Sequence, residues 1–206
     1  IVAFTNLIFL NCRSNDLTTL DLSQNTALKF LYCDHNQLSN LNVTQCSMLI
    51  DLNCSYNQLS NLDVSQCISL NELNFSYNQL TNFNSSTSAL LTTLYCYNNQ
   101  LTNLDISQNP ALISLGCKNN SLETLNIKNG NLVSWLTLDF SNNPNLQYVC
   151  VDVPDINLVQ QKINAYGNAA TCNVNSYCSF TPNGTFYEIS GNTKFDFINN
   201  GCDISD

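Results

Sequence analysis

Residues 28–38 read "LKFLYCDHNQL". Taken alone, Cys33, Asp34 and His35 are residue types from which nucleophiles, general bases and metal sites are built, and His35 is the one histidine of the chain. The neighbouring sequence decides otherwise. The same pattern returns every 21 residues without a gap: "LIFLNCRSNDL" from Leu7, "LIDLNCSYNQL" from Leu49, "LNELNFSYNQL" from Leu70, "LTTLYCYNNQL" from Leu91 and "LISLGCKNNSL" from Leu112. A degenerate copy, "VSWLTL", starts at Val133, and a shortened step gives "LQYVCV" from Leu146. A fixed period of this length is the mark of a solenoid. With the first Leu of each unit as position 0, apolar residues at positions 3 and 5 alternate with outward positions 2 and 4, as in a short half-buried strand. One unit cannot bury its apolar face, but a stack of units can. Successive strands then form a parallel sheet with about 4.8 Å between neighbours, and eight of them make a ridge of about 34 Å. The Asn at position 8 (Asn15, Asn36, Asn57, Asn78, Asn99 and Asn120) follows each strand, where the chain must turn. Its amide can donate to and accept from backbone groups that a tight bend would leave unpaired. The register also separates the apparent cluster: Cys33 points inward, and adjacent strand residues face opposite ways.

The unit LxxLxLxxNxL resembles the leucine-rich repeat, in six good copies over roughly residues 1–152. The resemblance implies an α/β repeat solenoid: a right-handed superhelix or arc, with a parallel sheet on its concave face and a mostly irregular and 3₁₀ convex side. The expected organisation is a solenoid over 1–152 with strands starting near 7, 28, 49, 70, 91, 112, 133 and 146, then a C-terminal cap over 153–180. Residues 181–206 shift in composition and look like the opening of a β-type module of the kind repeated on bacterial surface proteins. Related proteins place an N-terminal cap before the point where this sequence enters its first repeat, so a fragment of a longer protein is expected.

Eleven cysteines suggest a disulfide scaffold by count alone. Five of them (Cys12, Cys33, Cys54, Cys96 and Cys117) share position 5, where Phe75 stands in the fourth unit and Leu138 is expected in the seventh. A column that accepts Cys, Phe and Leu is a column of buried hydrophobes. A straight row of parallel side chains does not converge on a metal, and its Cβ atoms stay too far apart for ready disulfide formation. Cys46 and Cys67 share position 18 with Asn25 and Asn109 and are read the same way. Cys150, Cys172, Cys178 and Cys202 lie outside the array. The segment "VCVDVPDINLVQQKINAYGNAATCNVNSYC" resembles the C-terminal cap of secreted bacterial leucine-rich-repeat proteins in the style of internalins. By that resemblance Cys150 pairs with Cys178, while Cys172 is an added candidate that leaves Cys150–Cys172 open. The residues themselves support a cap with a helix at about 155–166: Pro154 can start it, Ile156, Val159 and Ile163 make one apolar stripe, and Gly167 can end it.

Charge is scarce, with six Lys and Arg against fifteen Asp and Glu and a net charge of −9. That balance lacks the electrostatic footprint of a nucleic-acid binder and the polybasic patch that holds anionic lipid. No apolar run has the length of a membrane span, so no membrane insertion is expected. No GxSxG, HExxH or Gly-rich phosphate loop occurs, and one histidine without convergent carboxylates offers no acid–base machinery. The chain is therefore read as no enzyme, with no cofactor and no metal site. The segment "DFINNGCDISD" resembles a calcium loop only loosely, because Ile198 stands where a ligand oxygen is needed.

Function is expected on the concave face. Its expected outward positions are 2, 4, 6 and 7, and the candidate ligand-binding residues are Phe30, Tyr32, His35, Asp51, Tyr56, Glu72, Tyr77, Tyr95, Tyr97 and Trp135, with Phe9, Asp34 and Phe140 alongside. Exposed aromatics give the rigid, amphipathic contact area typical of interface anchors. The resemblance implies a protein-recognition or adhesion module of a secreted or cell-surface bacterial protein, acting as a monomer. A carbohydrate-binding module, or a passive spacer in a larger surface protein, is the alternative.

Overall fold

The computed structural model describes residues 1–131 and 135–178. Each of the first seven repeats places a three-residue strand around one inward-facing leucine, buried in all but the first. In chain order the strands are β1 Phe9–Asn11, β2 Phe30–Tyr32, β3 Asp51–Asn53, β4 Glu72–Asn74, β5 Thr93–Tyr95, β6 Asn103–Asp105, β7 Ser114–Gly116, β8 Thr124–Asn126, β9 Thr137–Asp139, β10 Tyr148–Cys150 and β11 Asn173–Asn175. One parallel sheet has the order β1-β2-β3-β4-β5-β7-β9, and a second has the order β11-β10-β8-β6. Equivalent residues pair throughout the first sheet, so Leu10, Leu31, Leu52, Leu73, Leu94, Leu115 and Leu138 form one column.

The second sheet corrects one expectation. The strand expected near residue 146 is β10, which pairs with β8 rather than extending the first sheet, so that sheet has seven strands and not eight. The opposite flank is irregular over the earlier units, as expected, and carries short paired strands over the later ones, with a 3₁₀ turn only at Val153–Asp155 among the described residues. Leu104 and Leu125, central in β6 and β8, are buried as deeply as the leucines of the first sheet, and their flanking backbones pair in register.

The seventh unit is also shifted. Leu138 pairs with Leu115 at position 3, and Phe140, only 1% exposed, fills the cysteine column at position 5. A gap-free period puts Leu138 in that column and Phe140 outside it, and the structure corrects both. The chain carries two extra residues before this strand, and burying the large Phe140 ring outweighs an uninterrupted period.

The asparagines at position 8 bind the turns together. Asn57 donates from Nδ2 to the carbonyls of Cys33 (3.1 Å), Cys54 (3.1 Å) and Ser55 (3.2 Å), and its Oδ1 accepts from the Leu38 amide at 2.9 Å. Asn36, Asn78, Asn99 and Asn120 repeat the arrangement. Asn143 is a further rung that the two-residue shift hid.

Cys33, Cys54, Cys96 and Cys117 are buried free thiols and Cys12 is half-buried. Burial pushes Cys54 up to about 12 and Cys96 higher still, so neither is a thiolate near neutral pH. The C-terminal cap holds α1, Ile156–Ala165, with Val159 and Ile163 fully buried and Gly167 beyond it at φ +83°. The Tyr166 ring meets Phe140 edge-on at 5.1 Å, and Asn168 donates to the Asn143 carbonyl at 3.1 Å, closing the end of the core. Cys150 is bonded to Cys178 with Cα atoms 5.4 Å apart, while Cys172 is a free, buried thiol. The expected β-type module over 181–206, with Cys202 and the calcium-like loop, lies outside the described residues.

Candidate functional site

The outer surface of the seven-stranded sheet has two rows. Position 2 reads Phe9, Phe30, Asp51, Glu72, Thr93, Ser114 and Thr137, and position 4 reads Asn11, Tyr32, Asn53, Asn74, Tyr95, Gly116 and Asp139. Phe9 lies 6.4 Å from Phe30 and 5.6 Å from Tyr32, centroid to centroid. The Tyr32 hydroxyl donates to Asp51 Oδ2. That bond, with burial second, raises the Tyr32 hydroxyl to about 12. Tyr32, Asp51, Glu72 and Tyr95 border a shallow trough floored by Asn53, Leu73 and Asn74. Asn53 and Asn74 also accept backbone N–H bonds from Ser55 and Ser76, which fixes the turn after each strand.

A second column runs beside the sheet at position 7. Its backbone is left-handed in every unit: Ser14, His35, Tyr56, Tyr77, Asn98, Asn119 and Asn142 have φ between 51° and 57°. Each amide nitrogen from Ser14 to Asn119 donates to a carbonyl of the next unit, so the fold imposes this conformation. Asn tolerates it, but a bulky side chain pays about 1–2 kcal/mol. His35, Tyr56 and Tyr77 nevertheless occupy it and stack, with centroids 4.2 and 4.1 Å apart and planes tilted by 18° and 10°. Each stacking contact returns about 0.5–1.5 kcal/mol beyond its buried area. Tyr56 and Tyr77 remain 42% and 43% exposed, and a hydrogen bond with Tyr77 raises the Tyr56 hydroxyl above its ordinary value. Past Tyr77 the column changes chemistry to an amide ladder, Asn119 donating to Asn98 at 3.0 Å and Asn142 to Asn119 at 2.8 Å.

Arg13 joins the stack to the strand face. Its guanidinium lies 5.6 Å over the Tyr32 ring and pairs with Asp34 Oδ1 at 3.0 Å, and His35 Nδ1 lies 3.0 Å from Asp34 Oδ2. Asp34 had been placed among the outward residues, yet it is buried, 4% exposed, as are Ser55 and Ser76 at the same position. Strand alternation stops at position 5 because the chain is already turning toward the left-handed residue.

Tyr97, also at position 6, does reach the outer face: its ring lies over Gly116 of the next strand, stacked 5.5 Å from Tyr95. A Cβ on Gly116 would sit 2.1 Å from Tyr97 Cζ. Burial first, then the Asp139 charge, pushes the Tyr97 hydroxyl up to about 12. Gly116 was missed; its signal was a lone glycine in a row otherwise made of Asn, Tyr and Asp. Arg13 was missed too, because charge pairing across 21 residues follows only from the register. Trp135 is not on the face. The two-residue shift places it at position 0, where other units carry a core leucine; it packs on the core, and its Nε1 donates to Asp155 Oδ2 at 3.1 Å. The remaining candidates fall into two connected groups: Phe30, Tyr32, Asp51, Glu72 and Tyr95 on the strand face, with Tyr97 folded against Tyr95, and His35, Tyr56 and Tyr77 in the stack.

No protein-family model matches the chain, and no curated protein is significantly similar to it. Solved structures are similar. The functional domain of InlJ from Listeria monocytogenes, which includes a cysteine ladder, is 32% identical over 73% of this chain and 35% of its own, with a TM-score of 0.58. A leucine-rich-repeat protein of Leptospira interrogans is 24% identical over 84% of this chain and 50% of its own, with a TM-score of 0.64. The internalin InlF of Listeria monocytogenes is 17% identical over 87% of this chain and 50% of its own, with a TM-score of 0.58. The chain thus spans about a third to a half of the length of these structures.

Proposed function

From the premise that this chain is a leucine-rich-repeat protein of the internalin-like kind, we propose that it is a non-catalytic recognition module that binds a protein partner through its concave strand face and the adjoining aromatic stack. The observation that carries this reading is the His35–Tyr56–Tyr77 stack. It holds large side chains half-exposed on a backbone that disfavours them, and such strain gathers where surfaces are used. Tyrosines held rigid in this way lose little entropy on binding and make good anchors. The stack favours a protein over a glycan. Sugars pack on free ring faces, whereas here the rings cover one another and present their edges and hydroxyls. A secreted or surface setting goes with the reading: the Cys150–Cys178 bond suits an oxidising compartment.

The test is a paired screen of the wild type and the Tyr56→Ala/Tyr77→Ala double variant on an array of extracellular proteins and on a glycan array. A protein hit weakened about tenfold or more in the double variant is expected; losing two anchors at about 1–2 kcal/mol each gives at least that. Glycan hits alone would move the reading to a carbohydrate-binding module. A protein hit held equally by both chains would remove the stack from the interface.

A further inference from the structure

Building on the proposed recognition role of this face, we propose that the trough between Tyr32 and Tyr95 receives a lysine or arginine side chain of the protein partner, seated between Asp51 and Glu72. Asp51 and Glu72 stand directly opposite each other on β3 and β4. Like charges at such a pair repel, and among the described residues neither carboxylate is in an ion pair. The two outward rows contain no Lys or Arg at all, so the face has no cation of its own to place between them. Tyr32 and Tyr95 stand three strand steps apart, about 14 Å, which leaves width for an incoming segment. The Tyr32 and Tyr95 rings that border the trough offer apolar faces for the methylene stem of a long cationic side chain.

The chain already seats one cation in this manner. Arg13 lies over the Tyr32 ring while pairing with Asp34. Tyrosine plus carboxylate is thus a working receptor for a guanidinium at one end of the same trough. The Asp51–Glu72 pair, with Tyr95 beyond it, repeats the chemistry with the cation left to a partner. The Tyr32 hydroxyl occupies one oxygen of Asp51, holding that carboxylate in place with its second oxygen free to accept.

The experiment is an amide-shift titration of the whole chain with three capped tripeptides, Gly-Lys-Gly, Gly-Arg-Gly and Gly-norleucine-Gly, at low salt. The cationic peptides are expected to shift amides of β3 and β4, with norleucine doing so at least about tenfold more weakly. Asp51→Asn/Glu72→Gln should weaken the cationic peptides by about tenfold, two exposed ion pairs at up to about 1 kcal/mol each. Both changes are nearly isosteric, and preserved amide dispersion verifies the fold. Asp63→Asn, away from the face, should change nothing. The proposal is overturned if the shifts gather equally around Asp21, Asp63 and Asp105, if norleucine binds as well, or if β3 and β4 do not respond. A silent trough alongside a partner still lost in the Tyr56→Ala/Tyr77→Ala variant would sink this inference and leave the recognition reading standing. The preference between the lysine and arginine peptides identifies which cation fits.

Discussion

Asn57→Ala should be among the most damaging single changes available in this chain. Its side chain serves four backbone groups in two successive units: the carbonyls of Cys33, Cys54 and Ser55 and the amide of Leu38. Asn57 and Leu38 are both buried, so water does not replace the lost bonds. Orphaning the Leu38 amide costs about 1–3 kcal/mol, and each carbonyl, which keeps a second donor (Asn36, Asn78 or the His35 amide) but loses one bond, adds about 0.5–1.5 kcal/mol. Allowing for relaxation, the total is about 4 kcal/mol, which for a chain of this size lowers Tm by about 8–16 °C. Asn15 occupies the same position in the first unit, but it is exposed and donates only to Cys12 and Arg13 carbonyls, both at 3.0 Å. Asn15→Ala should therefore cost less than about 1 kcal/mol. Urea unfolding of the two variants measures the difference. Because neighbouring repeats couple locally, hydrogen exchange at the Leu38 amide should rise in Asn57→Ala and stay unchanged in Asn15→Ala. If the two variants differ by less than about 1 kcal/mol, the turn asparagines are not what holds the units together.

Reducing the Cys150–Cys178 bond, which closes a loop with a separation of 28 residues, should destabilise the cap by about 3.5 kcal/mol; thermal melts with and without reductant measure it, and an unchanged melt would mean that the cap is held by packing alone. Gly116→Ala must displace the Tyr97 ring, so the Tyr97 hydroxyl, held up at about 12 by burial and Asp139, should titrate nearer the ordinary value of about 10; an ultraviolet tyrosine titration identical to that of the wild type would contradict the close packing. Tyr32 and Tyr97 both stand at about 12 in the folded chain, against about 10 when unfolded. Their contribution is complete below about pH 10 and lost as pH rises from 10 to 12. Tm should fall across that window, less steeply in Tyr32→Phe, and a flat profile would deny the folded chain its raised hydroxyls.

The period was legible because a solenoid fills each buried column with interchangeable residues, so Leu31, Leu52 and Leu73 announce one another at fixed spacing. The seventh unit was not. Leu136 and Leu138 are two apart, and either satisfies an alternating pattern; only the core space for Phe140 and the turn role of Asn143 choose between them. Aligning that unit on its asparagine instead of its leucines would have found the shift. The strand-face candidates Tyr32, Asp51, Glu72 and Tyr95 followed from alternation, which holds through position 5. Position 6 lies just beyond, where the chain turns and alternation no longer says which side a residue faces: Asp34 is buried there, while Tyr97 lies over the outer row. Three of the seven left-handed positions were written in Asn98, Asn119 and Asn142, a residue type suited to that backbone; Tyr56 and Tyr77 concealed the same conformation behind bulky residues that avoid it.

In such a fold a departure from the column consensus is more informative than any motif. Columns exist because stacking equal residues costs least, and the Cys-to-Phe change at Phe75 is absorbed in the core with the Phe83 ring 4.6 Å away. Outward departures have no core to absorb them. At position 2 the row turns from aromatic to acidic between Phe30 and Asp51 and to hydroxyl at Thr93; at position 7 it turns from stacked rings to amides between Tyr77 and Asn98. Both acidic residues fall on β3 and β4, and both exposed tyrosines follow those same two strands, at Tyr56 and Tyr77. Two columns that are independent as far as folding is concerned change chemistry over the same pair of units. Packing gives no reason for that coincidence, whereas one partner laid across β3 and β4 would touch both columns at once.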